Sequence, residues 1–316
     1  MKPLVSILIP AHNAAPWVAA TLESALAQTW EDKEIIVVDD GSTDRTLEIA
    51  KSFVPRGVRV LAQSNRGASA ARNLAWANST GDWLQFLDAD DLLDPHKISA
   101  QMALAGKLGP GFAYCARWTR FTETIADSDF TPQPLCRDAD PVKWLAIKLR
   151  DNLMMHPAAW LVSRALADRA GTWDTSLTLD DDGEFFSRVV LASDGIRHCD
   201  AAISYYRSNI RGSLSRRKTS VAWQSAFESL KMTGDRLLAR NATSSTEESL
   251  ANAFQRLAFA MYPDEPTLVR KCEYFVKLFG GSRVEPGGGP IFTFVSRTLG
   301  WKAARLLRHY RGSWSS

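Results

Sequence analysis

Through its first ninety or so residues the chain alternates short apolar runs with segments whose apolar positions recur at helical spacing. Val5-Ser6-Ile7-Leu8-Ile9 reads as a buried strand that stops at Pro10. Residues 16–28 place Trp17, Ala20, Thr21, Ser24 and Ala25 at helical spacing, with Pro16 suited to a first turn. Residues 34–38 form a second buried strand, closed by Asp39-Asp40-Gly41-Ser42, and a helix starts at Thr43 or Asp44 and runs to about Phe53. A third strand over 58–62, an alanine-rich helix over 69–78 and a fourth strand over 83–87 follow. This rhythm predicts a parallel sheet covered by helices on both faces. The pattern then loosens. It predicts a strand over 112–121, a helix over 142–150, a strand or loop over 152–164, a helix over 184–192 and a strand over 203–207. From about Thr219 the chain reads as mostly helical, and Gly287-Gly288-Gly289-Pro290 breaks it before a final helix. No internal repeat is visible.

In such sheets ligands bind outside the carboxyl ends of the strands. Polar clusters fall at those ends here: Pro10-Ala11-His12-Asn13, Asp39 to Ser42, Asn65 to Gly67, and Asp88-Ala89-Asp90-Asp91. Four polar loops converging on one rim make a crevice. Asp88 and Asp90 alternate along an extended segment, so they can share a face. Carboxylates gathered at a strand end repel one another unless a cation sits among them, and Mg2+ or Mn2+ with diphosphate oxygens would serve. The plainer reading is a solvated acidic turn with Asp91 or Asp94 capping the next helix. A carboxylate in Asp39-Asp40 can accept a hydrogen bond from a nucleobase N–H, or Ser42 or Thr43 can simply cap a helix. Gly67 lets a ligand approach the backbone, and the helix start with Arg66 or Arg72 can neutralise phosphate.

Composition narrows the class. The chain has 316 residues, 45% hydrophobic and 23% charged, which suits one large globular domain or two modest ones. A net charge of +3 gives no argument for nucleic-acid binding. Cys115, Cys136, Cys199 and Cys272 form no CxxC pair, so neither a zinc site nor a disulfide framework is expected, and free thiols suit a reducing compartment. The apolar run over 4–9 is too short for a signal-peptide core or a membrane span, and no stretch approaches eighteen apolar residues. The expected location is the cytoplasm, or the inner face of a membrane as a peripheral protein. No GxGxxG follows the first strand and no GxxxxGK[ST] occurs, which removes support for a dinucleotide-binding dehydrogenase or a P-loop NTPase.

These pieces together resemble the family 2 glycosyltransferases of the GT-A fold, in the family's order and spacing over roughly residues 4–95. The resemblance rests on Val5 to Asn13, Val37-Val38-Asp39-Asp40-Gly41-Ser42-Thr43-Asp44, Asn65-Arg66-Gly67 with Ala71-Arg72-Asn73, and Gly81-Asp82 with Phe86-Leu87-Asp88-Ala89-Asp90-Asp91. It implies an α/β, Rossmann-related GT-A-like sandwich with a mostly parallel sheet. It implies an inverting, metal-dependent transfer of a sugar from a nucleotide diphosphate, UDP first and GDP or dTDP next, to a saccharide or lipid-linked acceptor hydroxyl. By it, Pro10 and His12 flank the base, Asp39 and Asp40 both belong to the nucleotide-sugar site with Asp40 favoured of the pair to bind the base, Asp88 contacts the nucleoside and Asp90 holds Mn2+ or Mg2+ with Asp88 and Asp91. Asn13, Asn65, Gly67, Arg72 and Ala89 complete the nucleotide-sugar site. His12 stands where many relatives have tyrosine, and an imidazole can also stack.

The family's second signature is an acidic pair before a helix ending in arginine. Asp181-Asp182-Gly183-Glu184-Phe185-Phe186-Ser187-Arg188 matches it, with Asp181 for the usual glutamate. The resemblance makes Asp182 the catalytic base and Asp181 its competitor, although aspartates before a helix are also good caps. Tyr206-Arg207 and Gly212-Ser213-Leu214-Ser215 resemble a later family segment, but Ser208-Asn209-Ile210-Arg211 lacks the histidine found in relatives. Arg211, Arg216, Arg217 and Lys218 can contact diphosphate in its place, or lie on the surface. His156, Trp118, Trp144 and Trp173 read chiefly as core or pocket-wall residues.

The expected organisation is a catalytic domain over 1–218, with a donor half (1–110) and an acceptor half (111–218), then a helical region over 219–316. Its tail, 291–314, puts Val295, Leu299, Ala303, Leu306, Leu307, Tyr310 and Trp314 on one face. Arg297, Lys302, Arg305, Arg308, His309 and Arg311 fall on the other, a pattern that suits an anionic membrane surface or a helix docked on the protein. Two rival functions remain at this level. A sugar-1-phosphate nucleotidyltransferase would want a glycine-rich phosphate loop after the first strand, and a non-catalytic nucleotide-sugar binder would have no need of the acidic pair.

Overall fold

A computed structural model describes residues 2–128, 130–210 and 218–312. It divides into two compact units, one of Met1–Leu145 with Leu153–Arg217, the other of Ala146–Asn152 with Lys218–Ser316.

The first unit is a mixed α/β layer structure. In chain order its elements are β1 (Val5–Ala11), α1 (Val18–Leu26), β2 (Lys33–Asp40), α2 (Thr46–Ser52), β3 (Val58–Gln63), α3 (Ala68–Ala77), β4 (Trp83–Phe86) and β5 (Leu92–Leu93). Then come α4 (Lys97–Leu108), β6 (Ala113–Phe121), α5 (Pro141–Asp151), β7 (Trp160–Ser163), α6 (Arg164–Ala170), α7 (Asp181–Ala192) and β8 (Ile196–Arg207). The strands make one sheet in the order β3-β2-β1-β4-β7-β6-β8-β5. β3, β2, β1 and β4 are parallel, β7 runs antiparallel between β4 and β6, and β6 and β8 are again parallel. The chain leaves β1 for β2 on one side and returns to β4 on the other. That reversal opens a crevice above the carboxyl ends of β1 and β4.

Alternation explains the continuous apolar strands. Val5, Ile7, Ile9 and Ala11 of β1, with Ile35 and Val37 of β2, pack with Val18, Leu22 and Ala25 of α1 and Ala50 of α2. Leu8, Ile36 and Val38 are also fully buried, on the face that carries α3. Strands covered on both faces need no polar side. Pro10 is tolerated in this central strand because pairing with β4 has ended at Leu8.

The structure departs from the sequence reading where the core is polar. α4 had no clear apolar stripe because Lys97 and Gln101, one turn apart, are fully buried. Lys97 Nζ donates to Gln85 Oε1 and to the Trp160 carbonyl, and Gln101 Nε2 donates to the Tyr114 and Ala159 carbonyls. Burial pushes the Lys97 amine well below its ordinary range. β8 is longer than the expected 203–207 because its register slips against β6 between Ala116 and Arg117. Cys199 pairs with Ala116 and Ile203 with Arg117, and the residues between break the alternation. Residues 152–164, expected as a strand or loop, supply β7 and the turn that carries His156.

The second unit holds α8 (Ser220–Arg240), α9 (Ser244–Met261), α10 (Pro266–Leu278), α11 (Pro290–Leu299) and α12 (Trp301–Gly312), with the later part of α5. Phe227, Phe254 and Phe275 form its aromatic core, the latter two stacked at 4.6 Å. Gly300, at φ +85°, divides the described part of the tail into two helices, and Trp314 of the predicted face lies outside the described residues. Among the described residues no helix is long and apolar enough to cross a membrane.

Candidate active site

The rim of the crevice is laced together before any ligand is considered. After β1, Asn13 adopts φ +49°, a left-handed value that asparagine tolerates. Its Oδ1 accepts from Thr43 N at 2.8 Å, and its backbone N donates to Ser42 Oγ at 3.0 Å. Ala14 N donates to Thr46 Oγ1 and Ala15 N to Asp44 Oδ2. His12 Nδ1 lies 2.8 Å from the Asp40 carbonyl. A carbonyl only accepts, so Nδ1 donates to it, and Nε2 lies 3.2 Å from the side-chain amide nitrogens of both Asn65 and Asn13. His12, Asn13 and Asn65 therefore meet at the rim, with Asn13 spending its side chain on the loop itself, while Pro10 is buried near the end of β1.

The aspartate pair after β2 divides its work by alternation. Asp40 is buried and points at the loop after β3. Its Oδ1 accepts from Gln63 Nε2 at 2.7 Å and Arg66 N at 2.8 Å, and its Oδ2 accepts from Gly67 N at 2.8 Å. Gly67 sits at φ +89°, which favours glycine, and Arg66 extends its side chain into solvent. Asp39 is equally buried, but only its Oδ2 is engaged, by Ser42 N at 3.2 Å. Its Oδ1 has no hydrogen-bond partner among the described residues. A buried carboxylate oxygen without a donor is costly unless something supplies one. Asp40 thus accepts three hydrogen bonds from the chain, whereas Asp39 Oδ1 is left with none among the described residues.

The acidic loop after β4 is likewise sorted. Asp91 is fully buried, with Oδ2 on His156 Nδ1 at 2.8 Å and Oδ1 accepting from Arg207 N at 2.9 Å. His156 completes the chain by placing Nε2 2.9 Å from Ser204 Oγ, and burial pushes its pKa down to about 3. Asp91 is thus a core anchor with both carboxylate oxygens engaged. Ala89 is also turned inward: it packs in the core, and its carbonyl accepts from Thr21 Oγ1 at 2.9 Å. Among the described residues no cluster of three or more His, Cys, Asp or Glu could enclose a metal. Asp88 and Asp90 remain half-buried at the rim. Burial, then Asp91 and Asp88, hold the Asp90 carboxyl well above its ordinary range. Arg207, the last residue of β8, braces this loop by donating from Nε to the Asp90 carbonyl at 2.9 Å. A carboxylate crowded by like charge, beside a second one, fits a hard cation that completes its shell with substrate oxygens and water.

Arg72 bridges two carboxylates from separate elements. Its guanidinium is buried, with Nη2 2.7 Å from Asp88 Oδ1 and Nη1 2.9 Å from Asp181 Oδ2. Burial alone would lower its pKa, but Asp88 and Asp181, with Asp182 farther off, more than offset this and raise it. Ser69, three residues earlier on the same face of α3, donates to the same Asp181 oxygen at 2.8 Å. The guanidinium lies 4.3 Å from the centroid of the Trp173 ring, which stacks on Phe185 of α7 at 4.1 Å. Asn73 fixes Trp173 by accepting from its N–H and donating to its carbonyl. Trp118, Trp144 and Trp173 are all buried core residues. Through Arg72, Trp173 and Phe185 the start of α7 is tied to the acidic loop. Asp181 is committed to that tie, while Asp182, the next residue, stands half-buried in the first turn with Oδ1 accepting from Gly183 N. At the far end of the motif Arg188 pairs with Glu184 at 2.8 Å and donates to the carbonyls of residues 170–172.

Sequence reasoning missed Ser69, Trp173 and Arg207 as parts of this arrangement. The i, i+3 spacing of Ser69 and Arg72 was the one local signal available. Gly212-Ser213-Leu214-Ser215, Arg211, Arg216 and Arg217 lie outside the described residues.

Residues 6–159 match the family model described as glycosyl transferase family 2. The uncharacterized glycosyltransferase YibD of Escherichia coli K12 is 41% identical over 163 residues, covering 50% of this chain and 47% of the relative. The uncharacterized glycosyltransferase RT0329 of Rickettsia typhi is 30% identical over 194 residues, 61% of this chain and 60% of the relative. The chain thus spans about half of these relatives' length. Among solved structures, S. aureus TarS 1–349 in complex with UDP-GlcNAc superposes with a TM-score of 0.70 at 16% identity, over 98% of this chain and 92% of that one. The mannosyltransferase PcManGT from Pyrobaculum calidifontis, in complex with GDP-Man and Mn2+, gives 0.56 at 17% identity, over 100% and 88%. At such identities the likeness is one of fold. Taken with the motifs and the sheet order, the match places residues 6–159 of this chain in glycosyl transferase family 2.

Proposed function

We propose that the protein transfers a sugar from a nucleotide diphosphate to an acceptor hydroxyl with inversion at the anomeric carbon. The observation that carries this reading is the chain Asp88–Arg72–Asp181, which links the acidic strand-end loop to the start of α7 beside Asp182. A donor-binding acid loop and a base on a separate helix are what a displacement needs, held in fixed relation.

In this reading Pro10, His12 and Asn65 border the base, and Asp39 Oδ1 accepts its N–H. Asp40 and Gly67 hold the loop after β3, Asp88 contacts the nucleoside side of the diphosphate, and Arg72 positions Asp88 and Asp181. Asp90, with Asp88, would hold a divalent cation, which when bound neutralises the diphosphate and improves it as a leaving group. Asp182 takes the proton of the acceptor hydroxyl. The oxygen then forms its bond to the anomeric carbon as the bond to the diphosphate breaks, and attack opposite the leaving group gives inversion. Family membership supports this outcome. We assign residues 1–110 to the donor and 111–218 to the acceptor. UDP-sugars are the first donors to test, supported by the UDP-GlcNAc complex of TarS, and GDP-sugars the next, supported by the GDP-Man and Mn2+ complex of PcManGT. A saccharide or lipid-linked saccharide in polysaccharide or glycolipid assembly, met in the cytoplasm or at its membrane face, is the acceptor class we infer.

The test is a thermal-shift screen of UDP-, GDP- and dTDP-sugars with and without Mn2+, followed by product analysis with radiolabelled donor. Stabilisation by one donor class, with sugar passed to an acceptor, supports the proposal. Release of a sugar 1-phosphate when pyrophosphate is supplied to take up the nucleotidyl group would favour nucleotidyl transfer, and binding without turnover a non-catalytic role.

A further inference from the structure

The end of the helical unit presents a surface that its own fold leaves uncovered. α12 is docked: Trp301 packs edge-on against Phe259 and Tyr262 at 4.9 and 5.3 Å, Lys302 pairs with Glu273 at 2.7 Å, and Ala304 is buried. α11 has no buried residue. Ile291 and Phe294 are each 69% exposed, Leu299 70%, and Leu307 of α12 51%. Large apolar side chains gathered in water mark an interaction surface. The charge around them is mainly positive, with Arg297 3.5 Å from Glu285 and Lys302 on Glu273. Residues 286–316 contain Arg297, Lys302, Arg305, Arg308 and Arg311 and no Asp or Glu.

We infer that the α11–α12 hairpin lies on an anionic membrane surface. Ile291, Phe294 and Leu299 enter the boundary between headgroups and acyl chains, and Arg305 and Arg308 meet the lipid phosphates. The break at Gly300 divides the labour: α12 holds the hairpin to the unit through Trp301, and α11 is left to lie in the interface. A second copy of the chain fits this face less well. A two-fold contact would bring each patch against its own image and oppose two surfaces of the same positive excess, the nearby acids Glu285 and Glu273 being already held by Arg297 and Lys302. An anionic lipid surface satisfies the apolar side chains and the cations together. No residue of the crevice enters the argument, so it stands or falls apart from the proposed transfer.

The full chain is mixed with vesicles of phosphatidylcholine alone and of phosphatidylcholine with phosphatidylglycerol, and sedimented over a range of salt. Binding to the anionic vesicles, weakened by salt, is expected. Each cation near such a surface counts for about a fivefold change in partitioning, so R305A with R308A should weaken binding by about 25-fold. I291S with F294S should weaken it by about tenfold or more, with thermal unfolding and the oligomeric state in solution unchanged because both positions face solvent. Failure to bind anionic vesicles, binding indifferent to both double variants, or a dimer that I291S with F294S dissolves would overturn the inference.

Discussion

Replacing Arg72 by methionine removes the guanidinium that touches both Asp88 and Asp181 while keeping most of the buried volume. The Arg72 side chain is 6% exposed, and its partners are 27% and 16% exposed. Breaking a fully buried pair by deleting one partner costs about 3–5 kcal/mol, because the other charge is stranded. Asp88 and Asp181 both retain some water, so hydration recovers part of this, and the expected loss is about 2–4 kcal/mol including the Trp173 contact. With a urea dependence of about 3 kcal/mol/M, the unfolding midpoint should fall by about 1 M. Function should suffer more than stability. A shift of about 1 Å between α7 and the acidic loop is enough to cost about a hundredfold in rate. Lysine cannot fork to two carboxylates, so R72K should recover some stability but little transfer. A double-mutant cycle with D181N should give a coupling of about 1–3 kcal/mol. The reasoning fails if R72M unfolds within about 0.2 M of the parent and transfers sugar at a similar rate, or if R72K behaves as the parent does.

Asp182→Asn should retain donor binding yet lose transfer by about a hundredfold or more, whereas Asp181→Asn should first show as lost stability; the reverse pattern in a donor titration and rate assay would exchange their roles. Asp39→Asn should weaken nucleotide affinity about 10- to 100-fold by calorimetry, and Asp40→Asn should chiefly lower the melting temperature, because one of the two oxygens that accept from Gln63, Arg66 and Gly67 becomes a donor. Equal effects on affinity would refute that division. Asp90→Ala, or chelation of divalent ions, should abolish transfer, and near-normal turnover of the variant would remove the metal role. On Glu34, burial would raise the pKa, but donation from Thr80, Ser6 and Gly81 more than offsets this and holds the carboxyl below 4.5. A depressed folded pKa adds stability above about pH 4.5 that is lost as pH falls through the folded value. Glu34→Gln should therefore lose less stability on acidification than the parent, and parallel acid-unfolding curves for the two would contradict it.

The elements that carry the site were legible wherever one strand or helix sets its own pattern. The apolar runs of β1 and β2, the polar loops at their ends and the acidic start of α7 need only local periodicity to be seen. Reading failed where burial was polar or pairing irregular. Lys97 and Gln101 hid α4 because their partners are carbonyls of other strands, and the slip beside Cys199 hid half of β8.

Within the site, the sequence by itself determined which residue types gather at the rim. Adjacent aspartates in an extended segment must point opposite ways, but the sequence does not say which faces the loop after β3. That choice came from packing, which gave Asp40 to Gln63, Arg66 and Gly67 and left Asp39 Oδ1 without a donor. Asp91 reads like its neighbours until His156, 65 residues away, turns it into the core. Asp181 and Asp182 are told apart only by an arginine 109 residues distant. Periodicity governs burial along a single element. Which carboxylate is satisfied and which stays exposed to a ligand depends on partners brought near by the tertiary fold, and only that fold decided it.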